Sequence, residues 1–178
     1  MIQTSRLQLR QFVLEDAAFI LALLNTPGWL KYIGDRSVHT ELDATRYLAE
    51  RLIPSYREHG FGFYCVVQKT DQTPIGMCGF AKRPYLDEPD LGFALLPAYS
   101  GQGFAVEAAE ACLLYGKQLG LKEVTAFTLP TNIRSIKLLE RVGFHSPAPF
   151  FIPGDEEELL LLRKELETTK TPRAPKIS

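Results

Sequence analysis

Long apolar runs are missing from this sequence. Nowhere in its 178 residues is there anything near the ~20 consecutive apolar side chains of a membrane-spanning helix. The start, Met1-Ile2-Gln3-Thr4-Ser5-Arg6, lacks the basic-then-apolar order of a signal peptide. A cytoplasmic chain with no membrane partner is the expectation. Cysteine is sparse: Cys65, Cys78 and Cys112 are odd in number, lie in apolar stretches and form no C-x-x-C pair. That suits no closed disulfide framework and favours small buried hydrophobes in a reducing compartment. His39, His59 and His145 are dispersed, with no H-x-x-x-H and no mixed Cys/His spacing, so no metal is expected. An excess of one charge is absent too. Twenty basic and 21 acidic residues leave a net −1, and no strong field draws the chain to nucleic acid.

What is present is ordinary globular material, 46% hydrophobic and 23% charged, enough for one substantial core. One domain is expected over residues 1–167, with 168–178, rich in Lys and Pro and free of apolar periodicity, a disordered tail. Arg6 to Phe12 alternates polar and apolar side chains as a half-buried strand should. Asp16 to Leu24 has helical period and is expected to stop at Pro27-Gly28, leaving Trp29, Tyr32 and His39 in a loop. Thr40 opens a helix to about Glu58 that Pro54 should bend or interrupt.

Three strand-like segments follow, Gly62 to Gln68, Pro74 to Ala81 and Asp90 to Leu96, in an antiparallel meander. Gly103 to Leu119 is helical and rich in small residues, and Lys122 to Leu129 is the next strand, a β-α-β crossover. Asn132 to Val142 reads as a short helix capped by Asn132 and closed by Gly143-Phe144. Phe150 to Ile152 and Glu158 to Arg163 are expected to pair around Pro153-Gly154-Asp155.

The informative stretch runs from Leu91 to Ala108, where a strand gives way to Ser100-Gly101-Gln102-Gly103-Phe104-Ala105 and then to a helix. Glycine admits positive φ and close backbone approach, and the first N–H groups of a helix lack internal acceptors. Together they offer a seat for an anion. A P-loop would need Lys-Ser or Lys-Thr after the glycines, and a dinucleotide fold would need glycine where Val106 stands. A bare left-handed turn remains the competing reading of the pattern alone.

The order strand, glycine turn, helix, strand, Asn helix resembles the GCN-five-related (GNAT) N-acetyltransferase superfamily. The resemblance rests on Gly103 and Ala105 in the cofactor loop and on Asn132, Ser135, Gly143 and Phe144 in the second signature. Thr4 to Arg10, Leu91-Gly92-Phe93 and Gly101 to Ala108 are similar to the branch of ribosomal-protein alanine N-acetyltransferases, the RimJ/RimL-like proteins. It implies an α+β (α/β) fold with a mixed, mostly antiparallel sheet of about six to seven strands flanked by helices. It also implies acetyl-CoA as cosubstrate, no metal, an amine acceptor (a small molecule or a protein N-terminus) and direct transfer.

The resemblance gives the diphosphate to the turn Gly101, Gln102, Gly103, Phe104 and Ala105, and the pantetheine arm to the backbone of Phe93, Ala94 and Leu95, in a gap where the neighbouring strand from Lys122 splays away. Asn132 would hold pantetheine or an ordered water, or serve simply as a helix cap. Ser135 would protonate the leaving thiolate, since Leu139 stands where many members carry tyrosine. Ser100 stands where the family has Arg or Gln. For the base, Asp90 is the first choice, with Glu88 and Glu107 as alternatives, each also readable as a surface or helix-dipole carboxylate. Trp29 and Tyr32 are candidates to line the acceptor slot, and Tyr64 and Phe80 are read as core. A homodimer stays open. So does a non-catalytic CoA-binding regulatory module, because of Ser100 and Leu139.

Overall fold

The alternation in Leu7–Gln11 becomes strand β2, with Leu7 and Leu9 buried and Gln8 and Arg10 half-buried on the opposite face. A computed structural model describes residues 1–166, so the expected domain end at 167 and the tail from Thr168 lie outside the described residues. The other strands are β1 (Ile2–Gln3), β3 (Phe63–Gln68), β4 (Pro74–Ala81), β5 (Asp90–Leu95), β6 (Glu123–Thr128), β7 (His145–Phe150) and β8 (Leu159–Glu165). They form one eight-stranded sheet in the order β1-β2-β3-β4-β5-β6-β8-β7. Every pairing is antiparallel except β5 with β6. The count exceeds the expected six to seven, because two-residue β1 is too short to show a period.

The helices are α1 (Ala17–Leu24), α2 (Pro27–Tyr32), α3 (Glu41–Tyr47), α4 (Pro54–His59), α5 (Phe104–Gln118) and α6 (Ile133–Arg141). The alternation of the central strands splits the core in two. Tyr64 and Val66 of β3 join Phe80, Ala108, Cys112, Leu139 and Leu162 on the α5/α6 face. Cys65 and Val67 join Ile20, Leu23, Trp29 and Leu48 on the α1–α4 face. Small residues let α5 sit close to the sheet: a Cβ on Gly116 would lie 2.9 Å from Phe80 Cζ. All three cysteines are buried thiols, and burial pushes Cys65 up to about 12.

The structure corrects two expectations and bears out a third. The first helix ends at Leu24, as expected, but Pro27 then starts α2, as N1 prolines do, with the Thr26 hydroxyl accepting from Trp29 N–H; Trp29 and Tyr32 are therefore helical and not in a loop. Pro54 interrupts its helix through a π turn, Leu48–Leu52, closed by Ile53 N–H to Leu48 O at 2.9 Å. The wider turn accommodates a residue that has no N–H and crowds the preceding turn. The closing hairpin is β7 with β8, so Phe151 and Ile152 fall in its loop. Pro147 and Pro149 are accepted in β7 because it is an edge strand, where a missing N–H costs no second partner.

Candidate active site

The chain leaves β5 through a short 3-10 turn, Pro97–Tyr99, and reaches α5 by way of two left-handed glycines, Gly101 at φ 76° and Gly103 at φ 83°. Gly103 is the N-cap of α5. The first amides of the helix past it have no acceptor within the helix, the first regular bond being Glu107 N–H to Gly103 O at 3.1 Å. Gly101, Gln102 and Gly103 are exposed. A Cβ on Gly101 would meet nothing within 4 Å, so the front of the turn is open to a ligand. The Gln102 side chain points back and donates to Ala98 O at 2.9 Å. Phe104 is buried, its ring 6.4 Å from that of Tyr99, so only its backbone N–H is left for a ligand.

A residue absent from the sequence-based list holds this turn. Arg6 donates from Nη1 to Gln102 O (3.0 Å) and from Nε to Glu107 Oε2 (2.6 Å). Its guanidinium carbon lies 4.3 Å from the Phe104 ring centroid. Glu107 also accepts from the Thr4 and Ser5 hydroxyls and from Arg6 N–H. Burial pushes the Glu107 carboxyl up, but these donors outweigh it and leave it below its ordinary value. Both oxygens of Glu107 are engaged and its carboxyl is lowered, which disfavours it as the base relative to Asp90. Contacts a hundred residues apart in sequence leave no periodic signal by which Arg6 could have been found.

The strand leading into the turn has a free edge. Leu96 N–H donates to Ile75 O at 2.8 Å, and the β4–β5 register is unbroken from Gly76↔Leu95 to Ala81↔Asp90. Opposed residues in an antiparallel ladder alternate between bonded and unbonded pairs. Gly92, Ala94 and Leu96 therefore direct their backbone groups at β4, while Leu91, Phe93 and Leu95 direct theirs at β6. Yet β6 meets β5 only at Asp90↔Thr125, where Thr125 N–H donates to Pro89 O at 2.9 Å. Beyond that point the strands part, and residues 92–96 of a central strand are only half-buried. The backbones of Phe93 and Leu95 line the gap. Ala94 does not, a correction that follows from the ladder's alternation.

Asn132 caps α6, its Oδ1 accepting from Ser135 N–H at 3.3 Å, and Ser135 is half-buried. At the far end Gly143, at φ 93°, lets Phe144 N–H reach Leu139 O at 2.9 Å, a Schellman closure. Leu139 is 1% exposed, so this position is core.

Asp90 stands where β5 and β6 part. On the same face of β5 as Ala94 and Leu96, it looks toward the α1–α4 layer. It is 3% exposed and accepts from Arg83 Nε at 2.8 Å. Burial pushes its carboxyl up from the ordinary value, and the Arg83 ion pair opposes this without cancelling it. Arg83, like Arg6, was missed in the sequence. On the same layer Trp29 is 7% exposed within the core, and its Nε1 has no partner among the described residues. Tyr32 is half-buried, with Lys31 Nζ 4.9 Å from its ring centroid. Tyr64 and Phe80 are core, as expected. Among the described residues no His, Cys, Asp and Glu group is placed to hold a metal, and no helix is long and apolar enough to cross a membrane.

A strand whose edge opens beside a left-handed glycine turn and helix N-terminus is the arrangement that the acetyltransferase resemblance implied. The profile of the acetyltransferase (GNAT) domain matches residues 6–145, and the chain belongs to that family. The uncharacterized N-acetyltransferase p20 of Bacillus licheniformis is 31% identical over 149 residues, 80% of this chain and 81% of that protein. The ribosomal-protein-S5-alanine acetyltransferase of Vibrio fischeri shares the fold with a TM-score of 0.76 at 22% identity, over 94% of this chain and 97% of that one. The spermidine N-acetyltransferase of Vibrio cholerae, in complex with CoA and spermine, gives a TM-score of 0.75 at 19% identity, over 92% and 97%.

Proposed function

We propose that the chain transfers the acetyl group of acetyl-CoA directly to a primary amine, of a small molecule or of a protein N-terminus. One observation carries this reading: β5 and β6 meet at a single pair, leaving the backbones of Phe93 and Leu95 free along a gap that leads to Gly101 and Gly103. Backbone groups in that gap can pair with the amides of pantetheine, and the turn and first amides of α5 can take the diphosphate. The CoA bound in the Vibrio cholerae fold neighbour supports the same use here.

The cosubstrate supplies an activated thioester. The protein holds its carbonyl against a backbone N–H of β5 and aligns an amine on the α1–α4 side, within the slot assigned to Trp29 and Tyr32. As the N–C bond forms and the C–S bond breaks, Asp90 takes the amine proton and Ser135 donates one to the sulfur, with Asn132 holding the start of α6 in place. An elevated Asp90 carboxyl suits a group that must accept a proton near neutrality. Asp90→Asn should lower kcat by about 100-fold with CoA affinity unchanged.

The buried Leu139, where a tyrosine acid is common in the family, favours a second reading, a CoA-binding module without turnover. Free-thiol release from acetyl-CoA with pooled primary amines decides between them. Acceptor-dependent release supports transfer. CoA binding with release at the hydrolysis background for every acceptor supports the module.

A further inference from the structure

We infer that Arg6 is a positioning residue of the diphosphate cradle and supplies from the N-terminal hairpin what position 100 lacks. The inference rests on the acetyl-CoA reading above. Ser100 is exposed and carries no charge, so the turn has no basic side chain of its own between Gly101 and Ala105. Worse for an anion, Glu107 places a carboxylate in the first turn of α5, within reach of any phosphate seated on the helix amides.

Arg6 answers both problems. Its Nε sits 2.6 Å from Glu107 Oε2 and neutralises that charge, while Nη1 holds the Gln102 carbonyl at 3.0 Å. A carbonyl held from behind keeps the following amides of the turn directed forward. Nη2 lies 3.3 Å from where a Cβ on Gly103 would stand, so the guanidinium packs directly against the left-handed residue. The Phe104 ring stacks on the same group at 4.3 Å. Thr4 and Ser5, also bonded to Glu107, fix the hairpin that carries Arg6. The fork and the stack together require arginine; lysine offers one point charge and no plane.

Calorimetric titration of CoA into the full chain, with an NMR titration of S-acetyl-pantetheine, which lacks the diphosphate, tests this. Arg6→Gln should weaken CoA by about 10-fold or more and leave the pantetheine thioester within about 2-fold. Arg6→Lys should fall between Arg6→Gln and wild type. Adding Glu107→Gln to Arg6→Gln should recover part of the loss, because the unpaired carboxylate is gone. Unchanged CoA affinity in Arg6→Gln would overturn the inference alone, as would an equal loss for both ligands. Absence of CoA binding by wild type would overturn it together with the acetyl-CoA reading.

Discussion

Glu107 shows how a single side chain ties the N-terminus of this protein to its central helix. Its carboxylate is held below the ordinary value of 4.5 by Thr4 and Arg6, against the upward push of burial. A lowered carboxyl contributes stability that is present above 4.5 and lost as pH falls through the native value. Thermal melts of wild type and Glu107→Gln should therefore differ near neutrality and converge in acid; a constant gap would contradict this. Gly103 makes a different demand. At φ 83° an L side chain is strained, and Gly103→Ala should cost about 1–2 kcal/mol in denaturant unfolding while also crowding Arg6. The glycines were legible in the sequence because their conformational freedom is intrinsic to the residue. Arg6 and Arg83 were not, since an ion pair is defined by where the fold brings two distant segments.

At the scale of elements, local chemistry was read best where it is self-contained. α5, β6 and α6 appear within a residue or so of expectation, each with its own period and end signals, and the Asn132 cap and Gly143-Phe144 closure form as read. Signals that depend on neighbours were harder. Pro27 can stop one helix or begin the next, and the Thr26 hydroxyl decides for α2. Pro147 and Pro149 argue against a strand until β7 is known to lie at the sheet edge. The α3 start is a reciprocal capping box, with Thr40 accepting from Asp43 N–H and Asp43 accepting from Thr40 N–H. Removing the hydroxyl in Thr40→Ala should lower unfolding free energy by about 1 kcal/mol, read from a shifted denaturant midpoint at constant slope.

At the scale of the molecule, the proposed site is a parting between two neighbouring strands of one sheet. Seven strand pairings join the eight strands, and the parallel one between β5 and β6 consists of a single residue pair. The β-α-β crossover and the antiparallel meander were visible in the sequence, whereas the parting of β6 from β5 came only from the family resemblance. It depends on how two strands diverge after Asp90↔Thr125, which composition does not encode. A ligand that fills this gap binds only the folded chain, so CoA at a hundred times its Kd should add about 2.7 kcal/mol to stability, seen as a raised Tm that Gly103→Asp abolishes. The most direct measurement is residue-resolved amide hydrogen exchange along β5 with and without saturating CoA. Ala94 N–H, bonded to β4, should be protected in both states, whereas Phe93 and Leu95 N–H should exchange faster in the free protein and become protected when CoA binds. Exchange at Phe93 and Leu95 that saturating CoA leaves unchanged would contradict the assignment of the gap as the cofactor site.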